Sequence, residues 1–210
     1  MYTGPRAPHT PKIIKQNVDD KLKARVPPGQ FLTDKFPVLT YGGTQKIDLK
    51  VWRFRLFGLV EQERELTWDQ MQAMNKVMLT ADFHCVTQWS RFDNLWEGIA
   101  AKDLVELAKP KPSATHVMVW CYGGYTTNLP LSVFLEDETI FAYKHDGKDL
   151  PPDHGGPMRL IIPKLYAWKS AKWVNGMEFI SGDRPGFWEE RGYHMEGDPW
   201  KEQRFWDELS

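Results

Sequence analysis

Among the side chains of this sequence, Cys85, in the stretch DFHCVTQW at 82–89, is the one best suited to soft-metal or nucleophilic chemistry, because a thiolate is both a nucleophile and a soft ligand. A cysteine alone is most often a small buried hydrophobe, so a functional reading needs cations or a metal beside it. Three stretches offer such surroundings. Asp153-His-Gly-Gly-Pro-Met-Arg carries His154 and Arg159 on a backbone that glycine allows to approach closely; its plain reading is a loop before a strand. Lys169-Ser-Ala-Lys offers two ammonium groups, a hydroxyl and main-chain donors, a combination suited to a phosphate or another polyanion. A solvated basic stretch is the plainer alternative. Gly123-Gly-Tyr-Thr-Thr-Asn reads as a polar loop at the mouth of a site, or as a turn.

The composition bounds what these groups can belong to. With 210 residues, 41% of them hydrophobic, the chain can bury a core of its own. Lys and Arg number 27 against 28 Asp and Glu, a net charge of −1, so no global basic field exists to gather nucleic acid or anionic membrane. No run is long enough to cross a bilayer, and the start of the chain lacks the apolar core of a secretory signal, which gives the expectation of a soluble cytoplasmic protein. Two cysteines make no disulfide framework, so Cys85 and Cys121 are expected as free thiols. Zinc is disfavoured: there is no C-x-x-C pair, and in an extended segment His84 points away from Cys85.

The elements that must position these groups follow from periodicity and punctuation. Residues 1–30, rich in Pro, Lys and Asp, read as an extended arm on a single domain of residues 31–210. Residues 33–43 form a short apolar segment closed by Gly-Gly. In residues 51–57 Trp52, Phe54 and Leu56 alternate with Arg53 and Arg55, a half-buried strand ending at Gly58. Thr67 with Gln70 predicts a capping box opening a short helix over 67–77. Residues 77–83 read as a strand delivering Cys85 into a turn-and-helix region. Leu104, Leu107 and Ala108 share one face of a helix over 100–109 that stops at Pro110. Residues 115–121, 159–162 and 173–180 read as strands, and 131–135 as one helical turn. The last thirty residues read as aromatic loop. Short helices scattered among strands, with no βαβ rhythm, argue for an α+β fold.

Taken in order, the motifs resemble the catalytic domain of the sulfite oxidase family of molybdenum-cofactor proteins, especially its small bacterial oxidoreductase branch. They are Cys85-Val-Thr-Gln-Trp-Ser-Arg with Trp96-Glu-Gly, Gly123-Gly-Tyr-Thr-Thr-Asn-Leu-Pro-Leu, and Asp153-His-Gly-Gly-Pro-Met-Arg. Tyr166-Ala-Trp-Lys-Ser-Ala-Lys-Trp-Val and Gly186-Phe-Trp-Glu-Glu-Arg-Gly-Tyr-His complete the set, and the likeness runs from about Phe36 onward. The resemblance implies a mixed-sheet molybdopterin-binding fold in which Cys85 binds molybdenum beside the dithiolene sulfurs of one molybdopterin. It implies that His154 and Arg159 hold the pterin and its phosphate, that Ser170, Ala171 and Lys172 finish the anion site, and that Phe36, Pro37, Val38 and Leu39 form a first cofactor-contacting segment. Cys121 falls beside a cofactor-touching position, and Tyr193 matches the active-site tyrosine.

Two departures keep the substrate open. The Gly-Asn-Arg-Arg run that follows the cysteine in sulfite oxidases is replaced by Val86-Thr-Gln-Trp-Ser. Against the exported methionine-sulfoxide reductase branch, Thr87 stands where an acidic residue is found and His154 where asparagine is found. The expected activity is two-electron oxygen-atom transfer, in the direction of reducing an S-oxide or N-oxide, with Trp89, Tyr125, Thr126 and Asn128 beside Tyr193 as the substrate pocket. No haem, flavin or iron–sulfur motif accompanies it, so an external electron partner is expected, and a monomer is compatible with the missing dimerisation domain. A sulfite-oxidising enzyme, a molybdopterin carrier without turnover and a cofactor-free anion-binding domain are the alternatives.

Overall fold

The computed structural model of the chain describes residues 20–206. Its strands are β1 (Phe31–Leu32), β2 (Arg53–Gly58), β3 (Arg64–Thr67), β4 (Val77–His84), β5 (Trp89–Ala100) and β6 (His116–Cys121). They continue as β7 (Thr126–Pro130), β8 (Ile140–His145), β9 (Lys148–Asp149), β10 (Arg159–Ile161) and β11 (Val174–Ile180). The helices are α1 (Asp20–Lys23), α2 (Trp68–Gln72) and α3 (Ala101–Ala108), with five 3₁₀ turns between strands and in the tail.

Two sheets result. One runs β3-β2-β11-β6-β7, with β11 parallel to β2 and antiparallel to β6. The other is built on β5, which pairs with β1, β4 and β8, while β8 also pairs with β9 and β10. In β2 the predicted alternation holds: Trp52, just before the strand, and Phe54 and Leu56 within it are fully buried in the larger core cluster. β8 instead sends Phe141 and Tyr143 into that cluster and Ile140 and Ala142 into a second one holding Cys85, Trp89 and Trp96. A sheet covered on both faces reads as a continuous apolar run, which is why alternation did not reveal β8.

The capping box is present: Thr67 Oγ1 accepts from Gln70 N–H at 3.2 Å, and Gln70 Oε1 accepts from Thr67 N–H at 2.9 Å. The helix it opens spans only Trp68–Gln72. α3 buries Ala101, Leu104, Val105 and Ala108, one face of a 3.6-residue repeat, and closes on Lys109 in the left-handed region before Pro110.

Three expectations are corrected. Cys85 is followed by a tight turn and the twelve-residue strand β5, not by a helix; Asp93 at φ +52 and a register shift against β4 between Ala81 and Phe83 break the alternation that would have shown it. Residues 126–130 form β7, paired along β6, where a polar loop was read. The described part of the arm opens with the helical turn α1 rather than extended chain, and residues 1–19 lie outside the described residues. That turn ends ahead of Pro27 and Pro28, the prolines on which the extended reading rested.

Candidate active site

β4 ends at His84 and hands Cys85 to a turn that re-enters the sheet at Trp89. Cys85 N–H donates to the Trp89 carbonyl at 2.9 Å and Gln88 N–H to the Cys85 carbonyl at 3.0 Å, with Gln88 at φ +71. The thiol is 6% exposed and Thr87 Oγ1 donates to its Sγ at 3.1 Å. Burial pushes the Cys85 thiol up; the Thr87 hydroxyl and the charges of Arg204 and Lys172 oppose that.

This sulfur opens on a cavity of about 500 Å³ whose walls also include Phe36, Trp89, Tyr125, Trp168, Trp188 and Tyr193. His154, Arg159, Ser170, Ala171 and Lys172 form its basic side. The Gly-Gly pair places them. Gly155 sits at φ +103, where a Cβ would fall 2.9 Å from Lys172 Cβ and 3.1 Å from Arg159 Cβ, so the close approach of these two cationic side chains requires glycine.

Arg159, 3% exposed at the start of β10, donates to the His154 carbonyl at 3.0 Å and the Ser170 carbonyl at 2.8 Å. Its Nε is buried with no hydrogen-bond partner. Lys172 Nζ donates to the Asp153 carbonyl at 2.6 Å, the Leu39 carbonyl at 3.0 Å and Thr40 Oγ1 at 2.9 Å. Among the described residues neither cation has a hydrogen bond to a carboxylate, although the Asp153 charge acts on Lys172, and the pair of cations suits an anion. Burial lowers Lys172 to about 8, with Arg159 adding to the effect, and lowers Arg159 to about 10. His154 is also pulled down by burial, and its ring stacks on Phe36 with centroids 4.4 Å apart.

Also on the cavity wall, Tyr193 stacks on Trp188 at 4.9 Å and meets Trp168 edge-on at 5.1 Å. Burial, followed by the Cys85 charge, raises the Tyr193 phenol, so it keeps its proton at neutral pH. Trp168 is held from behind: its Nε1 donates to Glu189 Oε1 at 2.9 Å, and its carbonyl accepts from the Tyr125 hydroxyl at 2.5 Å.

The sequence-derived set is thus partly brought together. Cys85, Tyr193, Phe36, Pro37, Leu39, Trp89, Tyr125, His154, Arg159, Ser170, Ala171 and Lys172 line one cavity, while Val38, Cys121, Thr126 and Asn128 do not. Val38 points outward at 47% exposure. Cys121 lies in the larger core cluster, where burial pushes its thiol up. Asn128 is in β7 behind the wall, donating to Asp183 Oδ1 and accepting from Lys169 Nζ. Lys169 is the clearest correction: its ammonium turns away from the cavity to form a fully buried 2.6 Å ion pair with Glu189. Only one of the two lysines in that motif faces the anion side. Both cysteines are free thiols.

Sequence reasoning missed Tyr41, Thr40, Phe83, Trp168 and Trp188 as cavity walls. Trp168 and Trp188 stood within the quoted motifs, so an aromatic census of those motifs was the available signal.

The comparisons agree with this geometry. Residues 41–188 match the family described as "Oxidoreductase molybdopterin binding domain". The chain is similar to "Uncharacterized oxidoreductase YuiH" of Bacillus subtilis (strain 168), 46% identical over 185 residues, 87% of this chain and 93% of that protein. It is 27% identical over 183 residues to the provisionally named protein-methionine-sulfoxide reductase subunit YedZ1 of Azospira oryzae, covering 85% of this chain and 69% of that one. Among solved structures, the sulfane dehydrogenase SoxCD of Paracoccus pantotrophus shares the fold with a TM-score of 0.62 at 19% identity, over 67% of this chain and 41% of that chain. On the match across residues 41–188, with a near full-length relative beside it, this chain belongs to the molybdopterin-binding oxidoreductase family.

Proposed function

We propose that this chain holds molybdenum on one molybdopterin and reduces an S-oxide or N-oxide by two-electron oxygen-atom transfer. The observation that carries the reading is the placement of a buried thiol and two cations that donate only to neutral acceptors on one aromatic-walled cavity. The donor set fits the group: sulfur is the soft ligand for a metal already held by sulfur, and Arg159, which lines the cavity, keeps a buried Nε donor with no hydrogen-bond partner. When bound, the cofactor supplies a metal that cycles between its +4 and +6 states.

The chain's own residues do the rest. Cys85 Sγ is the protein ligand, and Arg159 and Lys172 bind the phosphate, Arg159 by its planar fork and Lys172 as a point charge. Uncharged at neutral pH, His154 offers its ring to the pterin edge without adding charge. Tyr193 Oη, kept protonated by burial, donates a hydrogen bond to the substrate oxygen. Trp89, Tyr125, Trp168 and Trp188 exclude water and pack the organic part of the substrate. Overall, substrate oxide, two electrons and two protons give the deoxygenated product and water. The electrons come from an external donor, the chain acts as a cytoplasmic monomer, and the substrate is a small molecule. The methionine-sulfoxide assignment of the Azospira relative supports the S-oxide class.

The test is elemental analysis of the purified protein for molybdenum and phosphorus, followed by turnover on S-oxides and N-oxides with a reduced viologen dye. Near-stoichiometric molybdenum with turnover is expected, and both should fall more than about 100-fold in Cys85→Ser, since even outer-shell substitutions cost 10–100-fold. Metal without redox change would make the chain a carrier. Full molybdenum-dependent turnover in Cys85→Ser would remove the thiolate from the mechanism.

A further inference from the structure

Three successive carbonyls at the Cys85 turn each receive a donor from a remote part of the chain. The His84 carbonyl accepts from Ala167 N–H at 2.8 Å, the Cys85 carbonyl from Gln30 Nε2 at 3.1 Å, and the Val86 carbonyl from Arg204 Nη1 at 2.7 Å. Gln30 is itself fixed. Its Oε1 accepts from Ser90 Oγ at 3.4 Å, and that hydroxyl also meets His84 Nδ1 at 2.8 Å. On either side of the turn's end, Phe31 N–H donates to the Gln88 carbonyl and Thr33 N–H to the Ser90 carbonyl, at 2.8 and 2.9 Å.

Arg204 approaches from the other end of the sequence. It is 7% exposed, with its guanidinium 5.1 Å from the Tyr166 ring centroid. Its carbonyl accepts from His194 N–H at 3.1 Å, and the next residue, Phe205, bridges Tyr193. The same strand-like contact therefore ties the Cys85 turn to Tyr193, another residue of the cavity wall. The two ends also touch one another, since a Cβ on Gly29 would fall 3.2 Å from Arg204 Nη2.

We propose that Gln30 and Arg204 are positioning residues that clamp the sulfur-ligand turn between the two ends of the chain. The inference rests on the reading of Cys85 as the molybdenum ligand. Both residues lie outside residues 41–188, the part that matches the family model. A ligand sulfur must be held to within about half an ångström of its working position, and the side-chain donors of Gln30 and Arg204 add to the main-chain hydrogen bonds that hold the turn. Arg204 contributes a charge-assisted hydrogen bond, the stronger kind, and brings a buried positive charge to the sulfur side of the turn.

Gln30→Leu and Arg204→Met in the full chain test this, with Arg204→Lys as the conservative variant and the exposed Lys201→Ala as a control in the tail. Amide hydrogen exchange over residues 84–89 is expected to rise about tenfold in Gln30→Leu and Arg204→Met, with β2 unchanged. In molybdenum-loaded protein the Mo(V) electron paramagnetic resonance signal should shift or split in both, with Arg204→Lys restoring most of the protection and the original signal. Unchanged exchange at 84–89 in the folded variants overturns the clamp, as does an unaltered resonance signal in both. Exchange that rises everywhere also overturns it, by showing general destabilisation. If Arg204→Met does not fold, Gln30→Leu, which removes one neutral donor, decides the question. If the unaltered protein contains no molybdenum, the cofactor reading fails while the exchange measurement still decides whether the ends hold the turn.

Discussion

Lys172 shows how a basic site is prepared for an anion. Its ammonium is spread over two carbonyls and one hydroxyl, neutral acceptors that satisfy its protons without cancelling its charge. Burial lowers its pKa to about 8, so it is protonated below that pH and neutral above it. Arg159, at about 10, keeps its charge across the same range. The affinity of cofactor-free protein for pyrophosphate should therefore fall as pH rises from 7.5 to 9.5, by up to about tenfold for the loss of one such contact. Calorimetric titration at the two pH values checks this, and Lys172→Ala should remove most of the pH dependence. Tyr193 makes a separate prediction. Tyr193→Phe removes only the hydroxyl and leaves the ring between Trp188 and Trp168, so kcat should drop about 100-fold with molybdenum content and KM nearly unchanged. Retained kcat would reduce Tyr193 to a packing role.

The segments around the site are held by groups that never touch the cavity. β7, the Tyr166–Lys172 stretch and the 3₁₀ turn at Glu189–Arg191 meet in the buried Lys169–Glu189 pair. Lys169 also donates to both Asn128 oxygens at 3.0 Å, while Glu189 carries Trp168, a wall of the cavity. Burial pulls the Lys169 pKa down and the nearby Glu189 charge opposes it, as a pair that must stay paired would show. Replacing one member leaves the other charge stranded, so Lys169→Met should cost about 3–5 kcal/mol of stability by urea denaturation. Trp168 fluorescence should change with it. β10 and its preceding turn work similarly, with Gly155 letting Lys172 and Arg159 share a narrow space.

For the molecule as a unit, β8 is buried on both faces of the β5 sheet, and the cluster holding Cys85 shares that sheet with the main core. The cavity is thus continuous with the structure that carries stability. Stripping the cofactor should lower the Tm; at a hundredfold excess over Kd the binding contributes about 2.7 kcal/mol, or roughly 5–10 °C for a chain of this size. Differential scanning calorimetry of loaded and stripped protein reads that difference. Among the described residues no helix is long and apolar enough to cross a membrane.

Much of this was legible in the sequence where local physics decides. The β2 alternation, the Thr67 capping box, the α3 stripe and the Gly-Gly approach before Arg159 all depend on neighbours a few residues away. The order of the motifs was enough to indicate the family. Tertiary structure alone decided which way each polar side chain faces. Lys169 and Lys172 stand three residues apart with similar chemistry, yet one is spent on Glu189 and the other on the cavity, because their partners come from elements far along the chain. Asn128 went to a buried pair, and Cys121 to the core, for the same reason. Gln30 and Arg204 carry no local signal, being 55 and 118 residues from the carbonyls they hold. A sequence records propensity and pattern; a side chain's partner is set by which strands the fold brings together.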